Sequence, residues 1–422
     1  MQTKRIESKL LGEHYTEINH DSGLKILVLE KPDYTGAFAV FGANYGSVDT
    51  CFRLQGAETY TKVPEGIAHY LEHKLFESEE LDAFERFAKT GASANAFTSF
   101  DRTCYLFQCS DRFEENLEIL LDFVKSPYFT AQTVQKEQGI IGQEIRMYQD
   151  APDWQVLFNL LRALYHKNPV RIDIAGTIES IAEITADLLY DCYRTFYNHS
   201  NMVLAVAGGV TVEQVVRVAD KVLKKEEPVS FEQVYEDEPA EVKEAYIEQT
   251  LSVDIPKFAF GFKQPGTPPI RTAKECVCTG IALDIIAGKV SPLYHELLSK
   301  GLINTSFSYE YFCGRGFAVP MFSGESTDAR AVQKAILEKI KELQDNGITD
   351  EDFEVSRKRL YGLELRGFND VDDMANDLVD CYFRDETLYD TLEIYQTITK
   401  ADVEATLQTG FDETKCSLSV IR

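Results

Sequence analysis

Two histidines and a glutamate have the spacing of a metal-dependent hydrolytic site. His69, Glu72 and His73 follow one another as His-x-x-Glu-His. On an α-helix, positions i, i+3 and i+4 fall within a single arc of about 100°, so both imidazoles and the carboxylate face the same space. Imidazoles are common zinc ligands, and a carboxylate beside them can accept a proton from water. The motif therefore predicts a hydrolytic zinc site.

The alternative is a surface helix whose histidine and glutamate side chains simply face water. The positions that flank the motif are apolar and predict a partly buried helix instead: Ile67, Ala68, Leu71 and Leu75. Unpaired ionisable groups are costly in such surroundings. Buried imidazoles therefore need a partner, and a metal ion would supply one.

A second helix downstream could supply further carboxylates. Glu137 and Glu144 lie seven residues apart in a helical pattern predicted at residues 134–149. Seven residues bring an α-helix back to within about 20°, so the two carboxylates share one face. Gly139 and Gly142 lie between them, and each costs roughly 1 kcal/mol relative to alanine in a helix interior. We therefore expect another backbone to approach this helix closely, either at a functional site or in a helix crossing without function.

The elements that would position these residues predict an α+β fold. A chain of 422 residues is too long for one ordinary core, so two domains are expected. A charged, proline-containing stretch separates residues 1–225 from residues 246–422 and predicts a linker at 226–245. Each part mixes strand-like with helical runs, which favours antiparallel sheets with helices packed on one face.

Individual elements are predicted from the period of the apolar residues. Strands are predicted at 24–30, 37–42, 103–109, 202–207, 257–262, 306–311, 317–323 and 417–421. Helices are predicted at 67–76, 81–89, 112–125, 134–149, 154–165, 178–197, 279–287, 329–345 and 350–365. Cys276 and Cys278 are predicted to lie on one face of a further strand, without a function.

Composition and charge argue against several classes of protein. A formal charge of −26, from 43 basic and 69 acidic residues, argues against nucleic-acid binding. No run of 18 uncharged apolar residues occurs and the N-terminus has no apolar signal region, so neither a membrane span nor export is expected. Nine dispersed cysteines favour reduced thiols and a cytoplasmic location.

The two helices together resemble the pitrilysin/insulinase family of inverted-motif zinc peptidases, in particular its short bacterial and mitochondrial-processing-peptidase-like branch. Four further stretches carry the resemblance, which covers nearly the whole chain: Gly91 to Ser99, Arg102 to Tyr105, Gly176 to Ile181 and Tyr197 to Met202. The resemblance implies two homologous domains, of which only the first holds zinc.

The resemblance also implies a role for each site residue. His69, His73 and Glu144 would bind one Zn²⁺ per chain, which leaves the metal an open position for water. Glu72 and Glu137 would be the catalytic carboxylates. Glu72 would take a proton from the attacking water, and Glu137 would orient a ligating histidine from behind.

A short segment resembles the strand that presents the substrate in this family. Asn95, Ala96, Phe97 and Thr98 would form an edge strand to which an extended peptide adds through main-chain hydrogen bonds. The alternative for the segment alone is an ordinary strand without this role.

One departure from the family concerns the second half of the chain. Members whose second half closes over the zinc carry an Arg and a Tyr, seven residues apart, that help to hold the substrate carbonyl. The corresponding positions here are Leu297 and Asn304, which cannot stabilise an oxyanion in that way. We therefore expect a homologous subunit without the zinc motif to supply the pair in a heterodimer, in preference to a homodimer.

The resemblance implies a zinc endopeptidase that hydrolyses short or unfolded peptides inside a two-subunit chamber. Maturation of a precursor or leader peptide and general peptide degradation are both compatible with the residues. The competing hypothesis is a non-catalytic, peptide-binding or regulatory subunit of the same fold. The intact motif and Glu144 argue against it.

Overall fold

The computed structural model describes residues 1–79, 82–265 and 271–422. These residues form two compact units. The first consists of Met1–Ile145, Asp173–Val234 and Arg366–Tyr389, and the second of Arg146–Ile172, Tyr235–Leu365 and Asp390–Arg422. The boundary after Val234 falls inside the segment predicted as a linker. The exchange of residues 146–172 and 366–389 between the units has no counterpart in the sequence prediction.

The first unit is built on a seven-stranded sheet. Its strands are β1 (Gln2–Ser8), β2 (Glu13–Asn19), β3 (Lys25–Glu30), β4 (Ala37–Ala43), β7 (Ser93–Thr98), β8 (Thr103–Cys109) and β9 (Met202–Gly208). They are ordered β1-β2-β3-β9-β4-β8-β7, with β3 and β9 parallel and the other neighbours antiparallel. Three short strands form a separate small sheet: β5 (Cys51–Leu54), β6 (Thr61–Lys62) and β10 (Phe231–Gln233).

Helices cover both faces of the large sheet. They are α1 (Ile67–Leu75), α2 (Ala83–Thr90), α3 (Phe113–Lys125), α4 (Ala131–Gln149), α6 (Ile178–Ala182), α7 (Ala186–Phe196), α8 (Val212–Val222) and α13 (Val371–Phe383). The central strands β4 and β9 are buried along their whole length, as expected for a sheet packed on both sides. Helix α13 crosses them at Gly42, where a Cβ would lie 2.7 Å from Cγ1 of Val379. Glycine therefore permits the close approach of α13.

The second unit is built on a five-stranded sheet. Its strands are β11 (Tyr246–Gln249), β12 (Lys257–Phe262), β13 (Ser308–Gly314), β14 (Phe317–Glu325) and β15 (Cys416–Ile421). Its helices are α5 (Pro152–Leu164), α9 (Ala273–Ala287), α10 (Pro292–Ser299), α11 (Ala329–Asn346), α12 (Asp350–Gly367), α14 (Asp390–Thr397) and α15 (Lys400–Gly410). Helix α5 packs on β12 and β15, where a Cβ at Gly261 would lie 3.2 Å from Cδ2 of Leu160.

The two units repeat one topology. The order β11-β15-β12-β14-β13 has the same strand directions as β3-β9-β4-β8-β7, including the single parallel pair. In each unit, a helix from an exchanged segment covers the second sheet face at a glycine of a central strand. The predicted α+β fold is confirmed. In detail, each of the two large sheets contains one parallel pair and is packed on both faces.

Two local predictions of secondary structure are wrong. Residues 178–197 form α6 and α7 instead of one helix, because the Thr185 side chain caps α7 by accepting a hydrogen bond from the backbone N–H of Leu188. Cys276 and Cys278 lie in α9 and not in a strand. A capping box at Thr272 starts that helix before them.

The two glycines of α4 do not mark a close backbone approach. Among the described residues, no atom lies within 4 Å of a Cβ placed at Gly139, and only the Ile178 side chain, at 3.9 Å, approaches one at Gly142. The expectation of a tight crossing is therefore wrong. The helix predicted from residue 81 starts outside the described residues and is observed as α2 from Ala83.

Within the described residues, no single helix has the length and apolar composition that a membrane span requires. The pair α9 and α10 meets those requirements only when taken together, with a 42° bend between the two helices.

Candidate metal centre

Helix α1, which carries the His-x-x-Glu-His motif, is anchored at its N-terminus by two glycines. Gly66, the N-cap, has φ of 87°, and a Cβ there would lie 2.5 Å from the carbonyl oxygen of Ala175. Gly176 has φ of 75°, and a Cβ there would lie 2.5 Å from the carbonyl oxygen of Glu65. Ser180 Oγ also donates a hydrogen bond of 2.9 Å to that carbonyl. The start of α1 is therefore fixed by the loop that precedes α6.

The predicted ligands come together. His69 Nε2 lies 3.7 Å from Glu144 Oε1, and His73 Nε2 lies 3.5 Å from Glu144 Oε2. One ligand atom from each of the three residues lies within 4.8 Å of the others. A tetrahedral zinc ion with bonds of about 2.0–2.1 Å holds its ligand atoms roughly 3.4 Å apart. Two imidazoles and one carboxylate at these separations fit a zinc ion with an open fourth position.

The second carboxylate of α4 lies behind a histidine. His73 Nδ1 donates a hydrogen bond of 3.0 Å to Oε1 of Glu137, whose side chain is buried. A proton on Nδ1 leaves the lone pair on Nε2, the nitrogen that faces Glu144. Glu137 thus selects the tautomer of His73 that can bind a metal. This contact is the one expected for the predicted role of Glu137.

The surroundings of the two histidines shift their pKa values in opposite directions. Burial, with a smaller effect of His73, lowers the pKa of His69 to about 3, so this imidazole stays neutral and able to ligate. Burial would also lower the pKa of His73. The hydrogen bond to Glu137 and the negative charges of Glu72 and Glu144 outweigh it and raise the pKa of His73. In the absence of a cation, His73 is the histidine that takes up a proton first.

The carboxylate between the histidines has the properties of a general base. Glu72 is 8% exposed, and this burial raises its pKa to about 6 despite the opposing effects of His73 and Thr98. A base whose pKa lies close to neutral pH both exists as the carboxylate and accepts a proton readily. Thr98 Oγ1 donates a hydrogen bond of 2.9 Å to Glu72 Oε2. Sequence reasoning missed this contact, because it joins residues 26 positions apart.

The predicted substrate strand is an edge strand. The four residues Asn95, Ala96, Phe97 and Thr98 belong to β7, which pairs with β8 on one side and ends the sheet on the other. None of the four is fully buried. An edge strand next to the metal ligands is the arrangement that addition of an extended peptide requires.

Leu297 and Asn304 are both engaged within the second unit. Leu297 is buried in the core of the second unit, at 1% exposure. Asn304 lies after α10, and its Nδ2 donates a hydrogen bond of 2.7 Å to Oε2 of Glu325. Both side chains serve the internal packing of their own unit.

The second unit has an ion pair between the two helices that correspond, in chain order, to the helices of the metal ligands. Its order β12-α9-α10-β13-β14-α11-α12 repeats the order β4-α1-α2-β7-β8-α3-α4 of the first unit, where the short strands β5 and β6 are inserted between β4 and α1. The hydroxyl of Tyr309 on β13 donates a hydrogen bond of 2.8 Å to Asp284 on α9 and accepts one of 2.8 Å from Arg359 on α12. The guanidinium of Arg359 also forms a bidentate pair with the carboxylate of Asp284. The sequence alone did not indicate this cluster, since its members are separated by 25 and 50 residues.

Two family models match the chain. The model described as Insulinase (Peptidase family M16) matches residues 56–178, which contain both α1 and α4. The model described as Peptidase M16 inactive domain matches residues 183–360. The residues that form the candidate metal centre therefore all lie in the segment that matches the insulinase model.

Similar proteins extend this match to the whole chain. The uncharacterized zinc protease YmfH of Bacillus subtilis (strain 168) is 40% identical over 414 residues, which cover 96% of each chain. The crystal structure of an M16-like peptidase from Alicyclobacillus acidocaldarius superimposes with a TM-score of 0.94 at 33% identity, over 99% of each chain. The probable mitochondrial-processing peptidase subunit beta of Arabidopsis thaliana is 28% identical over 225 residues, or 51% of this chain and 41% of the relative. The chain belongs to the insulinase family, peptidase family M16, and the resemblance found in the sequence is confirmed.

Proposed function

We propose that this protein is a zinc-dependent endopeptidase that hydrolyses short or unfolded peptides. The observation that carries the proposal is the convergence of His69, His73 and Glu144 on one point, with the carboxylate of Glu72 on the same helix as the histidines. Relatives named zinc proteases, such as YmfH, support it. A bound Zn²⁺ would act as a Lewis acid and lower the pKa of water to about 7.

The residues of the chain divide the remaining work. Glu72 accepts a proton from the attacking water and can deliver it to the leaving amine nitrogen. Glu137 keeps His73 in the ligating tautomer throughout, since its hydrogen bond does not involve the reacting atoms. The edge strand β7 aligns the peptide by main-chain hydrogen bonds, which are the same for any sequence. Such binding requires an extended peptide and therefore selects short or unfolded substrates.

We also propose that a homologous subunit completes the site. Leu297 and Asn304 cannot stabilise an oxyanion as an Arg and Tyr pair does, because Leu297 has no donor and the amide of Asn304 is engaged with Glu325. A relative of this chain is named as a subunit of a mitochondrial-processing peptidase, which supports assembly from related chains. The partner would lack the zinc motif and supply an Arg and Tyr pair. Maturation of a precursor peptide and general degradation of peptides in the cytoplasm are both compatible with such a subunit pair.

A substitution of the base tests the activity. Glu72→Gln should retain one zinc per chain but lose about 10²–10⁴-fold in turnover of a quenched peptide library, because it removes general-base catalysis. Glu85→Gln, at an exposed position of α2, is the matched control and should behave as the unsubstituted protein. Equal turnover in Glu72→Gln and the unsubstituted protein would refute the assignment of Glu72.

Purification of the chain alone tests the partner. We expect weak turnover that rises on addition of the homologous subunit. Full activity without any partner would contradict the heterodimer. Stoichiometric zinc without turnover, even in the assembled complex, would favour the competing hypothesis of a non-catalytic subunit.

A further inference from the structure

Thr98 occupies the junction between the edge strand and the base. It is the last residue of β7, and its hydroxyl donates a hydrogen bond of 2.9 Å to Oε2 of Glu72 on α1. Among the described contacts, this hydrogen bond is the one that joins a side chain of β7 to a side chain of the His-x-x-Glu-His motif. The hydroxyl therefore holds one of the two carboxylate oxygens of Glu72.

The position of the Thr98 hydroxyl is itself fixed from behind. Thr98 pairs directly with Thr103, the first residue of β8, and the two hydroxyl oxygens lie 3.4 Å apart. Thr103 is fully buried and donates a hydrogen bond of 2.9 Å to the backbone carbonyl of Tyr45. The register of the β7-β8 hairpin therefore determines where the donor points. A movement of β7 would move the donor and, with it, the carboxylate of Glu72.

We propose that Thr98 is a positioning residue that couples occupation of the edge strand to the orientation of Glu72. Addition of a peptide to β7 would restrain the strand by new main-chain hydrogen bonds. The restrained strand holds the Thr98 hydroxyl, and the hydroxyl holds the base. Because the peptide would bind the main chain of β7 and not the Thr98 hydroxyl, loss of that hydroxyl should act mainly on the rate and only weakly on affinity. The kinetic consequence rests on the proposed peptidase function.

The kinetic test compares two replacements of Thr98 in the zinc-loaded protein, assembled with its partner where activity requires one. Thr98→Val keeps the shape of the side chain without the donor, and should lower kcat by about tenfold to a hundredfold while KM changes by less than about threefold. Thr98→Ser restores the donor and should recover most of the lost kcat. Thr16→Val is the control for loss of a threonine hydroxyl from a strand and should leave kcat unchanged, because β2 lies near the opposite edge of the sheet from β7. An unchanged kcat in Thr98→Val, or a raised KM with unchanged kcat, would overturn the proposal.

A second measurement needs no activity. In metal-free protein, the denaturant midpoint is compared for Thr98→Val, Glu72→Ala and the double variant. The midpoint shift caused by Thr98→Val should be smaller in the Glu72→Ala background, because the acceptor is already gone. An additive cycle would overturn the Thr98 proposal whether or not the protein cleaves peptides. A coupled cycle in a protein that binds zinc but has no turnover would support the contact and refute the proposed function.

Discussion

Replacement of Glu137 by glutamine should weaken zinc binding while it leaves all three ligands in place. The variant keeps the side-chain shape and an acceptor oxygen for His73 Nδ1, but it removes the negative charge 3.0 Å from that nitrogen. Glu137 is 9% exposed, so solvent screens the lost charge poorly. Loss of an outer partner of a ligating histidine typically costs about 10–100-fold in metal affinity, or about 1.4–2.8 kcal/mol.

The assay is competition for zinc with a chromophoric chelator at neutral pH. We expect the Kd of Glu137→Gln to rise by that factor with little change in the unfolding midpoint of the metal-free protein. Glu85→Gln, at an exposed site in the same unit, provides the control for the loss of one negative charge. A Kd within about twofold of the unsubstituted protein, or an equal rise in Glu85→Gln, would refute the role assigned to Glu137.

Three further predictions concern the same unit. Zinc affinity should fall as the pH is lowered, and of the two histidines His73 should protonate first because its pKa is raised while that of His69 is lowered. An NMR titration of the metal-free protein that shows His69 protonating first would contradict this order. Gly66→Ala should lower both the Tm and the zinc content, because its Cβ would lie 2.5 Å from the Ala175 carbonyl oxygen. Gly56→Ala is the control and should lower the Tm less, since Gly56 has the same φ of 87° but no neighbouring atom within 4 Å of its Cβ. Equal Tm losses in the two variants would show that the backbone strain of about 1–3 kcal/mol, and not the contact, decides. A fragment of residues 1–234 should be insoluble or bind hydrophobic dyes, because it lacks α13, which covers one face of β4 and β9. A cooperative unfolding transition of this fragment would contradict the packing described.

The central strands were predictable because their signal is local. The observed bounds of β8 and β12 are those predicted from apolar residues between turn signals, since both strands are largely buried. By contrast, β1 carries mostly exposed polar residues and gives no such signal. Helix α13 contains an apolar stripe, but no local rule states which sheet it covers. The exchange of segments between the units is therefore invisible in the sequence.

The metal ligands were predictable for a different reason. A helix converts the spacing of His69, Glu72 and His73 directly into a shared face, and the same rule joins Glu137 to Glu144 across seven residues. No rule of spacing joins one helix to the other, and there the resemblance to the family carried the prediction. The glycines of α4 failed as a signal because no backbone of the described residues approaches either one: Gly139 is exposed, and the buried Gly142 faces the Ile178 side chain.

The duplicated topology explains why one metal ion is proposed for each chain. In the first unit, α1 and α4 bring the carboxylates of Glu72, Glu137 and Glu144 together around two imidazoles, an arrangement with excess negative charge that a divalent cation would neutralise. In the second unit, the corresponding helices bring Asp284, which is fully buried, against the guanidinium of Arg359. That pair balances its own charge, as a buried carboxylate requires. In the first unit the proposed metal ion would neutralise the carboxylates, whereas in the second unit Arg359 neutralises Asp284.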